Sequence, residues 1–409
     1  MQILSDFHQT GAITTFHNVT RRDEDSIVDE VARFAKFRPV TLVLPSLFSE
    51  LEGPALEKIV DALVEMPWIN NIYIGLDRAS EEQYRYAKNF FSRLPQHHRV
   101  LWNDGPRMQA IHEKLASENV APTELGKGRN AWYLMGYAQA VPRDSEVLAL
   151  HDCDIVTYDR ALLARLLYPV INPDFKFVFS KGYYARVAEG KLNGRVVRLL
   201  VTPLLQALDM VIGPHKFTRY LSSFRYPLSG EFAMNMDIVP EVRIPSDWGL
   251  EIGFLSEVRR NANQAQIAQV DIADIYDHKH QDLSEEDATS GLSRMSIDIV
   301  KAVLRKLATE GVIISDSTLR ALKASYYRTA LDMIEAYAAD ALFNGARVDR
   351  HREEKAVELF AGNIMEAGET FLRDPSSTPF IPNWRRIKSA YPNIFHDLAE
   401  AVKEDMDDV

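Results

Sequence analysis

Two carboxylates that follow an apolar run are the strongest sign of chemistry in this sequence. Val147 to Leu150 has the pattern of a buried strand, and Asp152 and Asp154 come directly after it. Side chains two positions apart on an extended chain point the same way, so both carboxylates can face one ion. Carboxylate oxygens are hard ligands suited to Mg²⁺ or Mn²⁺. The pattern predicts a divalent metal site, although aspartates at a strand end also cap helices and stabilise turns.

Lys127 lies between two glycines, in a segment that precedes a predicted helix. Glycine lets the backbone approach a ligand closely, and the lysine amine can reach a phosphate held there. The segment lacks the Ser or Thr that follows the lysine in a Walker loop, so it is not that motif. A plain glycine turn before a helix explains the same residues, and both interpretations stay open.

Histidine and arginine side chains farther along the chain offer two more kinds of ligand. His278 and His280 follow a partly apolar stretch, and a neutral imidazole can complete a metal site begun by two aspartates. Arg195 follows Asn193 and Gly194, and a guanidinium beside bare backbone suits a carboxylate or a phosphate. A pair of surface histidines and a solvated basic loop are the alternatives.

The composition limits the classes of protein to which these residues can belong. The 409 residues carry a net charge of −11, with 58 acidic and 47 basic side chains, which argues against nonspecific binding to nucleic acid or to an anionic membrane. The single cysteine, Cys153, excludes an intramolecular disulfide and a multi-cysteine zinc site. No apolar run approaches the roughly 18 residues of a membrane span, and the start of the chain does not resemble a signal peptide. We expect a cytoplasmic protein without nucleic-acid or membrane partners.

Alternating strands and helices are expected to position these side chains. Up to about residue 155, short apolar runs alternate with helical patterns, which indicates βαβ units and a mainly parallel sheet. In such sheets, ligands bind at the carboxyl ends of the strands. The predicted strands cover residues 40–44, 71–76, 98–102, 146–150 and, beyond the alternating part, 175–180.

From about residue 293 the chain is predicted to be helical. Apolar residues recur at spacings of three and four, the stripe of an amphipathic helix, at Val357, Phe360, Ile364, Ala367 and Phe371. A single helix of this kind is marginal in water, so the helices must pack on the rest of the chain or on a second copy, and we expect a homodimer. The chain is thus divided into an N-terminal extension (1–37), an α/β domain (38–292) and a helical C-terminal region (293–409).

Several segments of the chain, in the same order, resemble the glucosyl-3-phosphoglycerate synthases, a family of retaining glycosyltransferases. The similar segments are 126–128, 152–154, 194–196, 203–205, 227–231, 249–253 and 267–270, together with Lys181, His278 and Leu283. The resemblance covers roughly residues 38–305 and implies a GT-A-type, Rossmann-like domain that binds a nucleotide sugar, followed by an added helical extension. It also implies transfer of glucose to 3-phosphoglycerate, as in glucosylglycerate-type compatible solutes, with Mg²⁺ or Mn²⁺ as cofactor.

The resemblance implies a role for each candidate residue. A metal ion would lie on Asp152, Asp154 and His278, with Lys127 against the donor diphosphate. The residues implied for the rest of the donor site are Pro45, Ser46, Leu47, Asp77 and Ser80. The residues implied for the acceptor site are Gly194, Arg195, Trp248 and Glu251, and those implied for catalysis are Glu251 and Asp154.

The sequence departs from the family where donor and acceptor bind. The acidic residue expected soon after Pro45 is postponed to Glu50, and Arg78 and Ala79 stand where the family has Ser and Gly. A family threonine near the acceptor phosphate is replaced by Val197. The donor base (uridine or guanosine), the sugar (glucose or mannose) and the exact acceptor are therefore left open.

Three other functions share parts of this pattern. A transferase of the same fold with another sugar or acceptor, such as the mannosylglycerate type, differs least. A sugar-phosphate nucleotidyltransferase would also present a strand-end aspartate and a lysine, but it needs a glycine-rich loop where this chain has Pro45-Ser46-Leu47-Phe48. A helical scaffold with a degenerate transferase domain has no use for the retained Lys127, Asp152 and Asp154.

Overall fold

The computed structural model describes residues 9–141, 145–188, 190–245, 247–277, 285–375 and 380–408, with the backbone alone for residues 285–290 and 380. The strands are β1 (Thr14–Phe16), β2 (Val40–Leu47), β3 (Asn71–Asp77), β4 (His97–Trp102), β5 (Val147–Leu150), β6 (Phe179–Tyr184), β7 (Val187–Ala188), β8 (Lys191–Leu192), β9 (Phe232–Asn235), β10 (Ile244–Pro245), β11 (Ile267–Ala273) and β12 (Phe380–Ile381). The helices are α1 (Glu24–Ala35), α2 (Phe48–Leu51), α3 (Pro54–Val64), α4 (Glu81–Phe91), α5 (Pro106–Ala116), α6 (Lys127–Ala140), α7 (Arg160–Ile171), α8 (Thr202–Ile212), α9 (Lys216–Ser222), α10 (Leu250–Asn261), α11 (Glu285–Thr309), α12 (Asp316–Phe343), α13 (Arg350–Arg373), α14 (Trp384–Ala390) and α15 (Ile394–Asp408). A π-helical turn at Val197–Val201 precedes α8.

A mainly parallel eight-stranded sheet forms the centre of the molecule. Its strand order is β1-β11-β6-β9-β5-β2-β3-β4, and β9 alone runs antiparallel to its neighbours β5 and β6. Buried apolar residues lie on both faces of the sheet, as expected when helices cover both sides. The predicted α/β class with a mainly parallel sheet is confirmed.

Two strands differ from their predicted bounds. β2 runs beyond the predicted end at residue 44, through Pro45, to Leu47. It pairs with β5 only as far as Val43, so Pro45 lies where no partner strand on that side needs its missing N–H. The strand predicted at 175–180 instead covers Phe179–Tyr184, because the phenylalanines before it pack as an aromatic cluster with Phe16.

The C-terminal helices share one hydrophobic core with the helices of the α/β part. α12 packs on α8, and α13 packs on α11 and α12. The predicted stripe on α13 is buried, with Val357, Phe360 and Ile364 fully inside. The boundary predicted at residue 292 falls within α11, and β1 of the predicted N-terminal extension pairs with β11. The division into three regions stays a prediction.

Two tryptophans join the end of the chain to α6. Trp384, the first residue of α14, stacks on Trp132 with 4.1 Å between ring centroids. Its indole N–H donates to the carbonyl of Trp132 at 2.8 Å, and the Trp132 indole donates to the carbonyl of Pro382 at 2.9 Å. Gly136 leaves room for the Trp384 ring, which a methyl group at that position would overlap. The C-terminal segment therefore supports the helix that begins at Lys127.

A buried ion pair joins α13 to the π-helical turn. Arg198 donates to Glu353 at 2.5 and 3.3 Å, and both side chains are almost fully buried. Arg198 also donates to the carbonyls of Asn193 and Leu192 at 2.9 and 3.3 Å. The loop that contains Arg195 is thereby held against the start of α13.

We expect Glu353→Gln to lower the free energy of unfolding by about 1.5–3 kcal/mol, since a buried guanidinium then faces a neutral amide. Urea unfolding followed by circular dichroism measures this change. Glu358→Gln, an exposed position on the same helix, is the matched control and should stay within about 0.5 kcal/mol of the unaltered protein. Equal midpoints for the two variants would contradict the assignment.

In the part of the chain that the structure describes, no helix combines the length and the apolar character needed to cross a bilayer.

Candidate active site

Lys127, Asp152 and Glu251 meet at the carboxyl edge of the sheet. Lys127 is the first residue of α6, Asp152 follows β5, and Glu251 lies in the first turn of α10. The lysine Nζ is 2.6 Å from Asp152 Oδ1 and 3.7 Å from Glu251 Oε1. Burial opposes the lysine charge, but the two carboxylates outweigh it and raise the pKa of Lys127 above its ordinary value. The turn into α6 uses Gly126 at φ +146°, a conformation that favours glycine.

Acidic side chains crowd around Asp154. Burial and repulsion from Asp152 raise the pKa of Asp154 to about 7, although Lys127 opposes the shift. Glu50 is affected by the same group of charges, since burial and the charge of Asp154 raise its pKa to about 7. Its carboxylate accepts from the Ser46 hydroxyl at 3.1 Å. This concentration of negative charge is what a divalent cation would neutralise.

The residues present fit a divalent ion with oxygen ligands. Asp152 and Asp154 provide hard donors, and Gly230 keeps the space in front of them open. A methyl group on Gly230 would lie 2.5 Å from Asp152 Oδ2 and would also overlap the Lys127 amine. His278, the third predicted ligand, lies outside the described residues, and within those residues no group of three or more His, Cys, Asp or Glu side chains is arranged to hold a metal. The ligand set stays a prediction.

The chain just before His278 is fixed beside the Asp154 loop. The Val156 N–H donates to the Asp277 carbonyl at 2.9 Å, and the Asp277 N–H donates to the Thr157 hydroxyl at 3.1 Å. The Tyr276 hydroxyl donates to Glu231 at 2.6 Å, and the Tyr184 hydroxyl donates to the same carboxylate at 2.9 Å. Burial and the nearby Asp152 raise the pKa of Glu231.

A small cavity of about 20 Å³ lies beside Lys127. Its polar lining includes Lys127, Lys181, Ser229 and Glu251, and the rest is largely apolar. Lys181 is buried and donates to the Ser229 carbonyl at 2.7 Å. Burial lowers the pKa of Lys181 to about 8, although Glu251 and Glu231 oppose the shift. The enclosed volume is about that of one water molecule, so this cavity brings polar side chains together without enclosing space for a sugar.

The predicted donor residues at the ends of β2 and β3 have different surroundings. Ser46 and Leu47 contact Glu50, and Leu47 donates its N–H to that carboxylate at 3.3 Å. Asp77 is buried and accepts from Arg129 at 3.1 Å and from Asn103 at 2.7 Å. Its carboxylate is therefore held by protein groups, and burial raises its pKa although Arg129 opposes the shift.

Ser80 begins α4 as its N-cap. Its hydroxyl accepts from the Gln83 N–H at 3.3 Å, while its own N–H donates to the Gln83 side chain at 2.8 Å. This capping box accounts for the residue structurally. A contact of Pro45, Ser80 or their neighbours with a nucleotide stays a prediction.

Two of the predicted acceptor residues, Gly194 and Arg195, lie just before the π-helical turn. Gly194 has φ +72°, and a methyl group there would come within 3.3 Å of the Tyr226 hydroxyl. Arg195 makes no ion pair with a described carboxylate, and its Nε is buried without an acceptor. Burial and the nearby Arg352 lower the pKa of Arg195. Trp248 is about half exposed, at 49%, three residues before Glu251.

Three acidic or basic groups of the site were missed by the sequence analysis as site residues: Glu50, Glu231 and Lys181. Glu231 and Lys181 belong to segments that carry the family resemblance, so their sequence signal was present. Glu50 lies in the short helix that follows β2, and its position near Asp154 depends on the fold.

Comparison with known proteins decides the family. Glucosyl-3-phosphoglycerate synthase of Persephonella marina is 42% identical over 405 residues, which cover 99% of this chain and 100% of that protein. The synthase of Methanococcoides burtonii is 39% identical over 406 residues, 98% of each chain. This chain belongs to the glucosyl-3-phosphoglycerate synthase family. It is therefore a glycosyltransferase, as predicted, and no family model matches it.

Solved structures have the same fold as this glucosyl-3-phosphoglycerate synthase family member. The Mycobacterium tuberculosis glucosyl-3-phosphoglycerate synthase in complex with Mn²⁺, UDP and phosphoglyceric acid has a TM-score of 0.53 at 20% identity, covering 74% of this chain and 88% of that one. The mannosyl-3-phosphoglycerate synthase of Rubrobacter xylanophilus has a TM-score of 0.54 at 22% identity, covering 74% and 83%. The predicted GT-A-type fold is confirmed, and the resemblance of the synthase family extends through the C-terminal helices, which the sequence analysis had set outside it.

Proposed function

We propose that this chain transfers glucose from UDP-glucose to 3-phosphoglycerate, with retention of configuration, and forms glucosyl-3-phosphoglycerate. The observation that carries the proposal is that Lys127, Asp152 and Glu251 meet at the carboxyl edge of the sheet in a chain that is similar over its full length to named synthases. The mycobacterial relative has been solved with Mn²⁺, UDP-glucose and phosphoglyceric acid, which supports the same donor, acceptor and type of metal here.

Asp152 and Asp154 would hold Mg²⁺ or Mn²⁺, with His278 as the third ligand. When bound, the ion would supply Lewis-acid stabilisation of the leaving diphosphate. The Lys127 ammonium lies beside Asp152. It would add positive charge next to the leaving diphosphate, on which negative charge builds up during the reaction. Glu251 faces the cavity and orients the sugar, and Trp248 offers an aromatic surface beside it.

Mixing each of UDP-glucose, GDP-glucose and GDP-mannose with 3-phosphoglycerate, glycerate, glycerol 3-phosphate or glycerol tests the proposal, with product detected by mass spectrometry. UDP-glucose with 3-phosphoglycerate is the expected pair, and it should require Mg²⁺ or Mn²⁺. Preference for GDP-mannose would favour the mannosyl alternative, whose representative has the same fold. Preference for neutral glycerol over every anionic acceptor would overturn the acidic-acceptor assignment.

Arg195→Lys should raise the KM for 3-phosphoglycerate by about tenfold, equivalent to roughly 1.4 kcal/mol, because lysine cannot form the two parallel hydrogen bonds of a guanidinium. The KM for the donor should change little. Steady-state kinetics with each substrate varied in turn measure both constants. If both stay unchanged, Arg195 is not an acceptor ligand.

We also propose that the protein acts in the cytoplasm as a homodimer and serves the synthesis of a compatible solute. The single Cys153 supports a reducing compartment. Exposed apolar side chains support a further protein contact; among the described residues they include Met210, Ile313, Leu342 and Phe343.

A further inference from the structure

The loop that contains Arg195 is fastened to the start of α13 at two places. The Arg198–Glu353 ion pair forms the first. At the second, the Arg347 N–H donates to the Gly190 carbonyl at 2.8 Å, just before α13 begins. The C-terminal helical region thus forms one wall of the predicted acceptor site.

Arg352 brings a second positive charge to this wall. It precedes the buried Glu353, its own side chain is exposed, and its charge is the largest influence on the pKa of Arg195 after burial itself. Burial, and then repulsion from the Arg352 guanidinium, lower the pKa of Arg195.

The acidic groups nearby are engaged elsewhere. Glu353 is held by Arg198, and Asp349 caps α13 by accepting from the Arg352 backbone N–H at 3.1 Å. The neighbouring Arg350 pairs with Glu335, whereas Arg352 makes no ion pair with a described carboxylate. Arg195 and Arg352 are therefore two nearby cations whose charges no direct ion pair with a described residue neutralises.

We propose that Arg352 binds the phosphate of the acceptor together with Arg195, so that the C-terminal helical region selects a phosphorylated acceptor. A phosphate monoester carries close to two negative charges at neutral pH and accepts hydrogen bonds on three oxygens. Two guanidinium groups match that charge, whereas the carboxylate of unphosphorylated glycerate needs only one. The proposal rests on the proposed function, since 3-phosphoglycerate must be the acceptor.

Steady-state kinetics of Arg352→Ala in the full-length protein test the proposal. The KM for 3-phosphoglycerate should rise by about tenfold, while kcat at saturation and the KM for UDP-glucose stay within about twofold. Arg352→Lys should recover part of the loss, because it restores the charge. Lys355→Ala, an exposed cation on the same helix, is the matched control and should leave all three constants unchanged.

The possible failures are distinguishable. If the unaltered protein uses 3-phosphoglycerate and Arg352→Ala keeps the same KM for it, Arg352 is not an acceptor ligand and the proposed function stands. Equal rises in the KM of donor and acceptor would show a general distortion and also overturn the assignment. If the unaltered protein does not use 3-phosphoglycerate at all, the proposed function and this inference fail together.

Discussion

Asp154→Ala should abolish glucosyl transfer, with kcat reduced at least about a thousandfold, while the melting temperature of the ligand-free protein stays nearly unchanged. The Asp154 carboxylate lies in a crowded acidic field, and its pKa is raised by burial and by Asp152. Removing it therefore relieves repulsion in the absence of metal. The loss of the carboxylate therefore impairs only the binding of the cation and of the diphosphate.

Matched variants separate the charge of Asp154 from its shape. Asp154→Asn keeps the size of the side chain and removes the charge, so it should be as inactive as the alanine variant. Asp29→Ala, at an exposed position of α1, controls for the loss of an aspartate elsewhere. Turnover near that of the unaltered protein in Asp154→Ala, or in excess EDTA, would refute the metal assignment.

The second large effect is expected at Trp384. Trp384→Ala should lower the free energy of unfolding by about 3–5 kcal/mol, because the ring is fully buried and its removal leaves a cavity beside α6. The loss includes the stacking on Trp132 and the hydrogen bond to the Trp132 carbonyl. Urea unfolding of the full-length variant measures the change.

Trp248→Ala provides the control for this stability measurement. Trp248 is about half exposed, so its truncation should alter the free energy of unfolding by about 0.5 kcal/mol or less. An unfolding curve of Trp384→Ala that coincides with that of Trp248→Ala would mean that the C-terminal segment does not support α6.

Local patterns carried enough information to predict much of the fold. The strands that lead to Asp77, Asn103 and Asp152 were predicted because an apolar run followed by polar residues can be recognised within a few positions of the sequence. The predicted bounds failed where tertiary packing decides. Phe175 and Phe177 have the composition of a strand but belong to an aromatic cluster outside the sheet.

The candidate site could be predicted only in part, because its residues come together through the fold. Lys127 and Asp152 were predicted as separate phosphate and metal ligands, and their 2.6 Å contact follows from the packing of α6 on β2, the neighbour of β5 in the sheet. No spacing rule relates Arg352 to Arg195. The C-terminal helices were predicted to pack on the rest of the chain as an added region, and their contact with the segment that carries the predicted acceptor residues followed only from the fold.

The link between Trp384 and Trp132 also has a consequence for synthesis. The two residues are 252 positions apart, and the hydrogen bond between Gln269 and Thr15 that joins β11 to β1 spans 254. At roughly 5–20 residues per second on the ribosome, Trp132 and Thr15 are synthesised on the order of tens of seconds before their partners Trp384 and Gln269. During that time the face of α6 that will contact Trp384 remains uncovered, and β1 has no partner strand. A nascent chain therefore acquires α6 in its final form only after translation has nearly ended, and a chain released early would lack support for that helix.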